Sequence, residues 1–169
     1  TFFVYEFANF YYSSMISFRE GKGAIVVFAA GNDRFRLSVN HGYHCSHPLT
    51  ISVGAVDRNN LVTLFSNVGS ALTLSAPGQS ILSTVPLNSV PPTYDNNNNY
   101  VYISGTSMAC PMVSGAIALL LEIRPELTWR DVQKLLMLSS SKPEYAGFHT
   151  NGGGFQFSHF IGAGVLNVK

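Results

Sequence analysis

The chain has 169 residues, enough for one domain with a sizeable core. Hydrophobic residues make up 46% and charged residues 11%, with a formal net charge of +1 and no stripe of Lys or Arg, which argues against a nucleic-acid partner and places most of the chain in an interior. No apolar run reaches the ~20 residues of a membrane span, and the aromatic start from Thr1 to Phe10 lacks the basic flank of a signal peptide.

Tyr11, Met15 and Phe18 recur at helical spacing and Gly21 and Gly23 stop the pattern, which predicts a helix over residues 9–20. Residues 24–30 form a continuous apolar run, as expected of a strand buried on both faces of a parallel sheet, ending at Gly31-Asn32-Asp33. Residues 34–48 read as a loop, 49–56 as a second buried strand closed by the turn Asp57-Arg58-Asn59-Asn60, and 61–65 and 72–75 as two short strands before Ala76-Pro77-Gly78. Residues 86–99, with three prolines and a run of asparagines, are irregular. Residues 100–103 form a strand that leads into a turn at Ser107. Residues 108–122 are apolar nearly all round, which predicts a helix buried in the middle of a domain. Thr128 caps a second helix reaching about Leu138, with Asp131 placed for a capping box. The pattern is α/β, with no internal repeat and no linker between domains.

Chemistry concentrates in Gly105-Thr106-Ser107-Met108-Ala109-Cys110-Pro111. A serine at a strand-to-helix turn between small residues has the setting of an activated nucleophile, since a substrate backbone can approach and the helix N-terminus lends partial positive charge. Pro111 is expected in the first turn, where its missing N–H breaks no helical bond. Ala109 breaks the G-x-S-x-G pattern of α/β-hydrolases.

Four blocks occur in order. They are Phe28-Ala29-Ala30-Gly31-Asn32-Asp33; Val53-Gly54-Ala55-Val56-Asp57 with Phe65-Ser66-Asn67-Val68-Gly69; Ser75-Ala76-Pro77-Gly78; and Gly105 to Pro111. Together they resemble the subtilisin-like serine proteases. Leu127-Thr128-Trp129-Arg130-Asp131-Val132-Gln133 and Thr150-Asn151-Gly152 with Ser158-His159 resemble the kexin/furin-type proprotein convertases, so the last third is kexin-like.

The resemblance implies the C-terminal part of a three-layer fold, a mostly parallel sheet with helices on both faces. It implies a serine endopeptidase with a polypeptide substrate, Ser107 as nucleophile and Asn32 as the oxyanion-stabilising amide. Ala29, Ala30, Gly31 and Thr106 would line the substrate site. No cofactor is visible in the residues; calcium and a secretory or extracellular location follow only from the resemblance.

The general base and its orienting carboxylate should precede Asn32, but the only upstream acids are Glu6 and Glu20, and no histidine precedes His41. The chain starts at Thr1 rather than Met and is expected to be a fragment whose N-terminal half, with the Asp and His motifs, is missing. Alone it is expected to be inactive, and the alternative reading is a catalytically dead subtilase fragment serving as an interaction module. Asn40-His41-Gly42 faintly echoes a catalytic-histidine motif but reads as a loop, in which His41 stands where the convertases carry an acid that holds a basic side chain. His41, His44, Cys45 and His47 suggest zinc, although no further ligand pair supports a metal, so they read as loop residues. Cys110 reads as a small buried hydrophobe, Asp57 and Asp95 as turn residues, and His149 and His159 as structural.

Overall fold

A computed structural model describes residues 13, 15–34, 38–42, 44–86 and 100–168. The predicted first helix falls partly on residues 9–12 and 14, outside the described set; Ser13 and residues 15–17 are helical. The segment closes where Gly21 N–H donates to Ser17 O (3.1 Å) and Gly23 N–H to Phe18 O (2.7 Å). Met15 is fully buried there.

Three parallel strands form the main sheet in the order β1 (Val26–Ala29), β2 (Thr50–Val56), β3 (Leu74–Pro77). β2 is the centre and every one of its residues is buried, Thr50 and Ser52 included, as expected of a strand covered on both faces. β1 is only half-buried along its length, so the burial on both faces expected for residues 24–30 is not met among the described residues. Register places Val27 beside Ile51, Ala29 beside Val53, and Val53 beside Leu74.

Alternation along β2 then divides the core. Ile51, Val53 and Ala55 join Leu74, Ala76 and the two long helices in one cluster. Val56, on the other face, packs with Ala146, Ile161 and Val165.

Helix α1 (Thr106–Ile123) lays Ala109, Val113 and Ile117 on the sheet at four-residue spacing. It contacts all three strands. At 18 residues it is long and apolar enough to match a membrane span by composition, yet those contacts make it a core helix. The prediction of burial all round is corrected: the opposite face, with Ser114, Gly115, Ala118, Leu119, Glu122 and Ile123, is exposed, because no described element covers it. Pro111 is a second correction. It lies at the sixth position of α1 rather than in the first turn, so the Ser107 carbonyl has no i+4 N–H to accept from.

Helix α2 (Trp129–Ser139) begins as predicted. Thr128 Oγ1 accepts from Asp131 N–H (3.2 Å) and Thr128 N–H donates to Asp131 Oδ2 (2.9 Å), completing the capping box. Val132 and Leu136 face the main core.

No strand forms over residues 61–65. Asp57 Oδ1 accepts from Asn59 and Leu61 N–H (2.8 and 2.9 Å), and the chain turns back with a single bridge from Val62 to Val56. Ala76 and Pro77 belong to β3 rather than to a turn. A strand not predicted, β4 (Ile81–Thr84), pairs antiparallel with β5 (Tyr100–Ile103). A small hairpin, β6 (His149–Thr150) with β7 (Gln156–Phe157), completes the described strands.

Candidate active site

β1 and α1 bring the two residues of interest together. Asn32 follows β1 in an exposed turn, and Ser107 is the second residue of α1, also exposed. The strand end and the helix start are joined through Thr106. Its N–H and its hydroxyl both donate to Asn32 Oδ1 (2.9 and 3.0 Å), and its Oγ1 accepts from Gly31 N–H (3.1 Å). With Oδ1 occupied, Asn32 Nδ2 is left as the outward end of the amide, without an acceptor among the described residues.

The helix start supplies a second donor. Gly105 is the N-cap and provides no side-chain cap, so the Ser107 N–H is one of the four opening amides without an intrahelical acceptor. Gly105 lies beside both donors. The position its Cβ would take lies 3.5 Å from Asn32 Nδ2 and 3.7 Å from Ser107 N. One small space, left open by a glycine, is therefore flanked by two N–H groups at the positive end of an 18-residue helix. Such a place stabilises an oxygen that becomes negative.

The sequence-predicted residues occupy distinct roles. Ala29 and Gly31 are half-buried beside the turn and Ala30 is buried. Thr106 is fully buried, its polar atoms engaged by Gly31 and Asn32. Ser107 Oγ has no hydrogen bond among the described residues. His41 ends a short 3₁₀ turn, Val39–His41, and its side chain is exposed. That turn is tied to the chain after Asn67 by Val39 N–H to Val68 O (3.1 Å) and Ala71 N–H to Asn40 Oδ1 (2.9 Å).

The zinc arrangement does not assemble. His44 stacks on Phe28 at 5.2 Å, Cys45 Sγ donates to Ala29 O (3.2 Å), and His47 Nδ1 accepts from Leu49 N–H (3.2 Å). Among the described residues no group of three or more His, Cys, Asp or Glu is placed to hold a metal. Asp57 Oδ1 is engaged by its own turn, and Asp95 lies outside the described residues. Cys45 and Cys110 are free thiols, half-buried, and burial pushes both up from the usual thiol range. His149 is exposed in β6, and His159 meets Phe157 edge-on at 5.3 Å.

The sequence reading overlooked one residue of the site. Asn67, in the block Phe65 to Gly69, contacts the Asn32 turn directly. Only its residue type signalled it, and Asn after a strand reads first as a turn former.

A family profile described as "Subtilase family" matches residues 8–164. The "Dibasic-processing endoprotease" of Schizosaccharomyces pombe is 32% identical over 93% of this chain and 22% of its own length. Subtilisin NAT of Bacillus subtilis subsp. natto is 38% identical over 87% of this chain and 33% of its own length. The serine protease of Aeromonas sobria, in complex with its chaperone, has the same fold (TM-score 0.85, 21% identity, covering 96% of this chain and 38% of that one). The chain belongs to the subtilase family of serine proteases. It spans about a fifth to a third of the length of the two curated relatives.

Proposed function

We propose that this chain is the nucleophile-bearing part of a serine endopeptidase that cleaves polypeptides through an acyl-enzyme on Ser107. The observation that carries the reading is the paired fixing of Asn32 Oδ1 by Thr106, which turns Nδ2 toward the space it shares with Ser107 N–H.

In this mechanism Ser107 Oγ attacks the scissile carbonyl carbon and its proton passes to a histidine base oriented by a carboxylate. The carbonyl oxygen becomes an oxyanion between Asn32 Nδ2 and Ser107 N–H. The amine leaves with a proton from the base, and water then releases the acyl group. Ala29, Ala30 and Gly31 form the substrate-facing wall beside that pocket. The base and carboxylate come from the N-terminal half of the same peptidase domain, the polypeptide partner this part requires. Resemblance to the subtilases supports a location in the secretory pathway or outside the cell.

The fission-yeast relative is named for processing at dibasic sites. That preference is not carried over, because His41 stands where the resemblance expects an acid.

The test is labelling of the full-length protein with a fluorophosphonate, followed by peptide mapping. Stoichiometric modification at Ser107, abolished in Ser107→Ala, is the expected result. Absence of labelling in the folded protein overturns the reading. It would favour a non-catalytic interaction module.

A further inference from the structure

We infer that Asn67 is a positioning residue for the oxyanion site, acting through Asn32 by holding the main chain on both sides of it. The inference rests on the endopeptidase reading above, and it assigns a role to a residue that does not face substrate.

Asn67 is 6% exposed, so nothing in solution reaches most of it. Three of its four hydrogen bonds go to the turn that carries Asn32; the fourth is accepted by its carbonyl from Ser66 Oγ (3.3 Å). Its backbone N–H donates to Gly31 O (2.9 Å), its Nδ2 donates to Ala30 O (2.9 Å), and its Oδ1 accepts from Asp33 N–H (2.8 Å). These three bonds therefore fix the peptide groups before and after Asn32 from beneath. Thr106 fixes the side chain of the same residue from α1. Backbone and amide plane are thus constrained by separate elements, as a preorganised dipole requires.

The residue type follows from the geometry. One side chain must present a donor and an acceptor at the same time, which excludes a carboxylate and any apolar group. Gly31 fits the same reasoning. Its φ is +99°, and a Cβ there would lie 2.5 Å from Asn67 Nδ2, so the close approach of Asn67 demands glycine.

The experiment compares full-length wild type, Asn67→Ala and Asn67→Asp, each alone and with Asn32→Ala. Asn67→Asp keeps the acceptor for Asp33 N–H and loses the donor to Ala30. For Asn67→Ala the expected result is a fall in kcat of about tenfold to a hundredfold with KM within about twofold, the scale of a misplaced catalytic group. Asn67→Asp should be intermediate. In the Asn32→Ala background the Asn67 substitutions should leave the remaining kcat unchanged, since the residue they act through is gone. A folded Asn67→Ala with wild-type kcat overturns the inference, as does an equal loss in both backgrounds, which marks a structural role alone.

A second readout does not depend on turnover. The ¹⁵N-resolved side-chain amide signals of Asn32 should shift, and exchange of the Asp33 amide should accelerate, in Asn67→Asp. Unchanged signals and unchanged exchange overturn the inference even if wild type proves inactive. Failure of wild type to label at Ser107 bears only on the endopeptidase reading. If Asn67→Ala does not fold, Asn67→Asp alone carries both readouts.

Discussion

Asn32 Oδ1 accepts two hydrogen bonds from one residue, Thr106: from its N–H at 2.9 Å and from its hydroxyl at 3.0 Å. A backbone N–H can only donate, so the amide atom facing it must be oxygen, and the orientation of Asn32 follows from chemistry. The hydroxyl has one proton, given to Asn32, and one lone pair taken by Gly31 N–H at 3.1 Å. Strand end, turn and helix start are therefore locked by one threonine.

Thr106→Val tests that lock with little change of shape. The N–H bond to Asn32 survives, the hydroxyl bond is lost, and Gly31 N–H loses its acceptor. Stability should fall by about 1–3 kcal/mol, the cost of an unpaired buried donor. The fluorophosphonate labelling rate at Ser107 should fall as well. Thermal melting and the labelling rate check the two parts, and an unchanged rate would show that the N–H bond alone fixes the amide.

How much of this was legible in the sequence depends on range. The apolar patterns at β2 and α1 and the run Gly105 to Pro111 can be read locally, and they located the sheet, the core helix and the candidate nucleophile. The Thr128–Asp131 cap was equally local. Longer-range relations were not visible. Asn32 and Thr106 are 74 residues apart, and nothing near either names the other. β4 went unpredicted because Ile81-Leu82-Ser83-Thr84 has little pattern of its own and its partner β5 begins only at Tyr100. The apolar residues at 61–65 suggested a strand, but the carboxylate of Asp57 organises a tight reversal that leaves room for one bridge. Half-burial of β1 and exposure on one side of α1 depend on what packs against them, which a local pattern does not reveal.

The loop after Asn32 should carry an acid sensitivity. His47 Nδ1 accepts from Leu49 N–H (3.2 Å), which requires the unprotonated ring nitrogen. Burial, with a smaller contribution from His44, holds His47 below the ordinary histidine value of 6.5. The unfolded chain then takes up the proton more readily than the folded one, so the stabilising contribution is complete above 6.5 and is lost as pH falls below it. His47→Gln should flatten the decline in stability in that window. Urea midpoints measured through the window in both proteins give the comparison, and parallel curves would refute the assignment.

The start of α2 offers a second pH-linked measurement. The hydroxyl of Thr128, and then its backbone N–H, hold the Asp131 carboxyl below its ordinary value of 3.8. A carboxyl lowered on folding stabilises above 3.8 and loses that contribution as pH drops through the folded value. Thr128→Ala should cost about 1 kcal/mol at neutral pH, the usual worth of such a cap. The difference from wild type should shrink in strong acid, where the carboxylate is protonated in both. Equal differences at neutral and acid pH would show that Asp131 takes no part in the cap.

Gly105→Ala separates folding from chemistry most directly. The backbone at Gly105 has φ 162°, extended geometry that any residue adopts, so the substitution brings no conformational strain. The new methyl would meet Asn32 Nδ2 at 3.5 Å, Met108 Sδ at 3.6 Å and Ser107 N at 3.7 Å, all ordinary contacts. The fold should therefore be kept, and loss of glycine freedom in the unfolded chain should offset part of any packing cost. The methyl nevertheless occupies the space between the two donors, where an oxyanion would need to sit about 2.7–3.1 Å from each. Turnover of the full-length protein should fall at least as far as on deleting one donor, about a hundredfold or more, with the melting temperature close to wild type. Wild-type turnover in Gly105→Ala would mean that the oxyanion forms elsewhere, and the roles given to Asn32 Nδ2 and Ser107 N–H would fall with it.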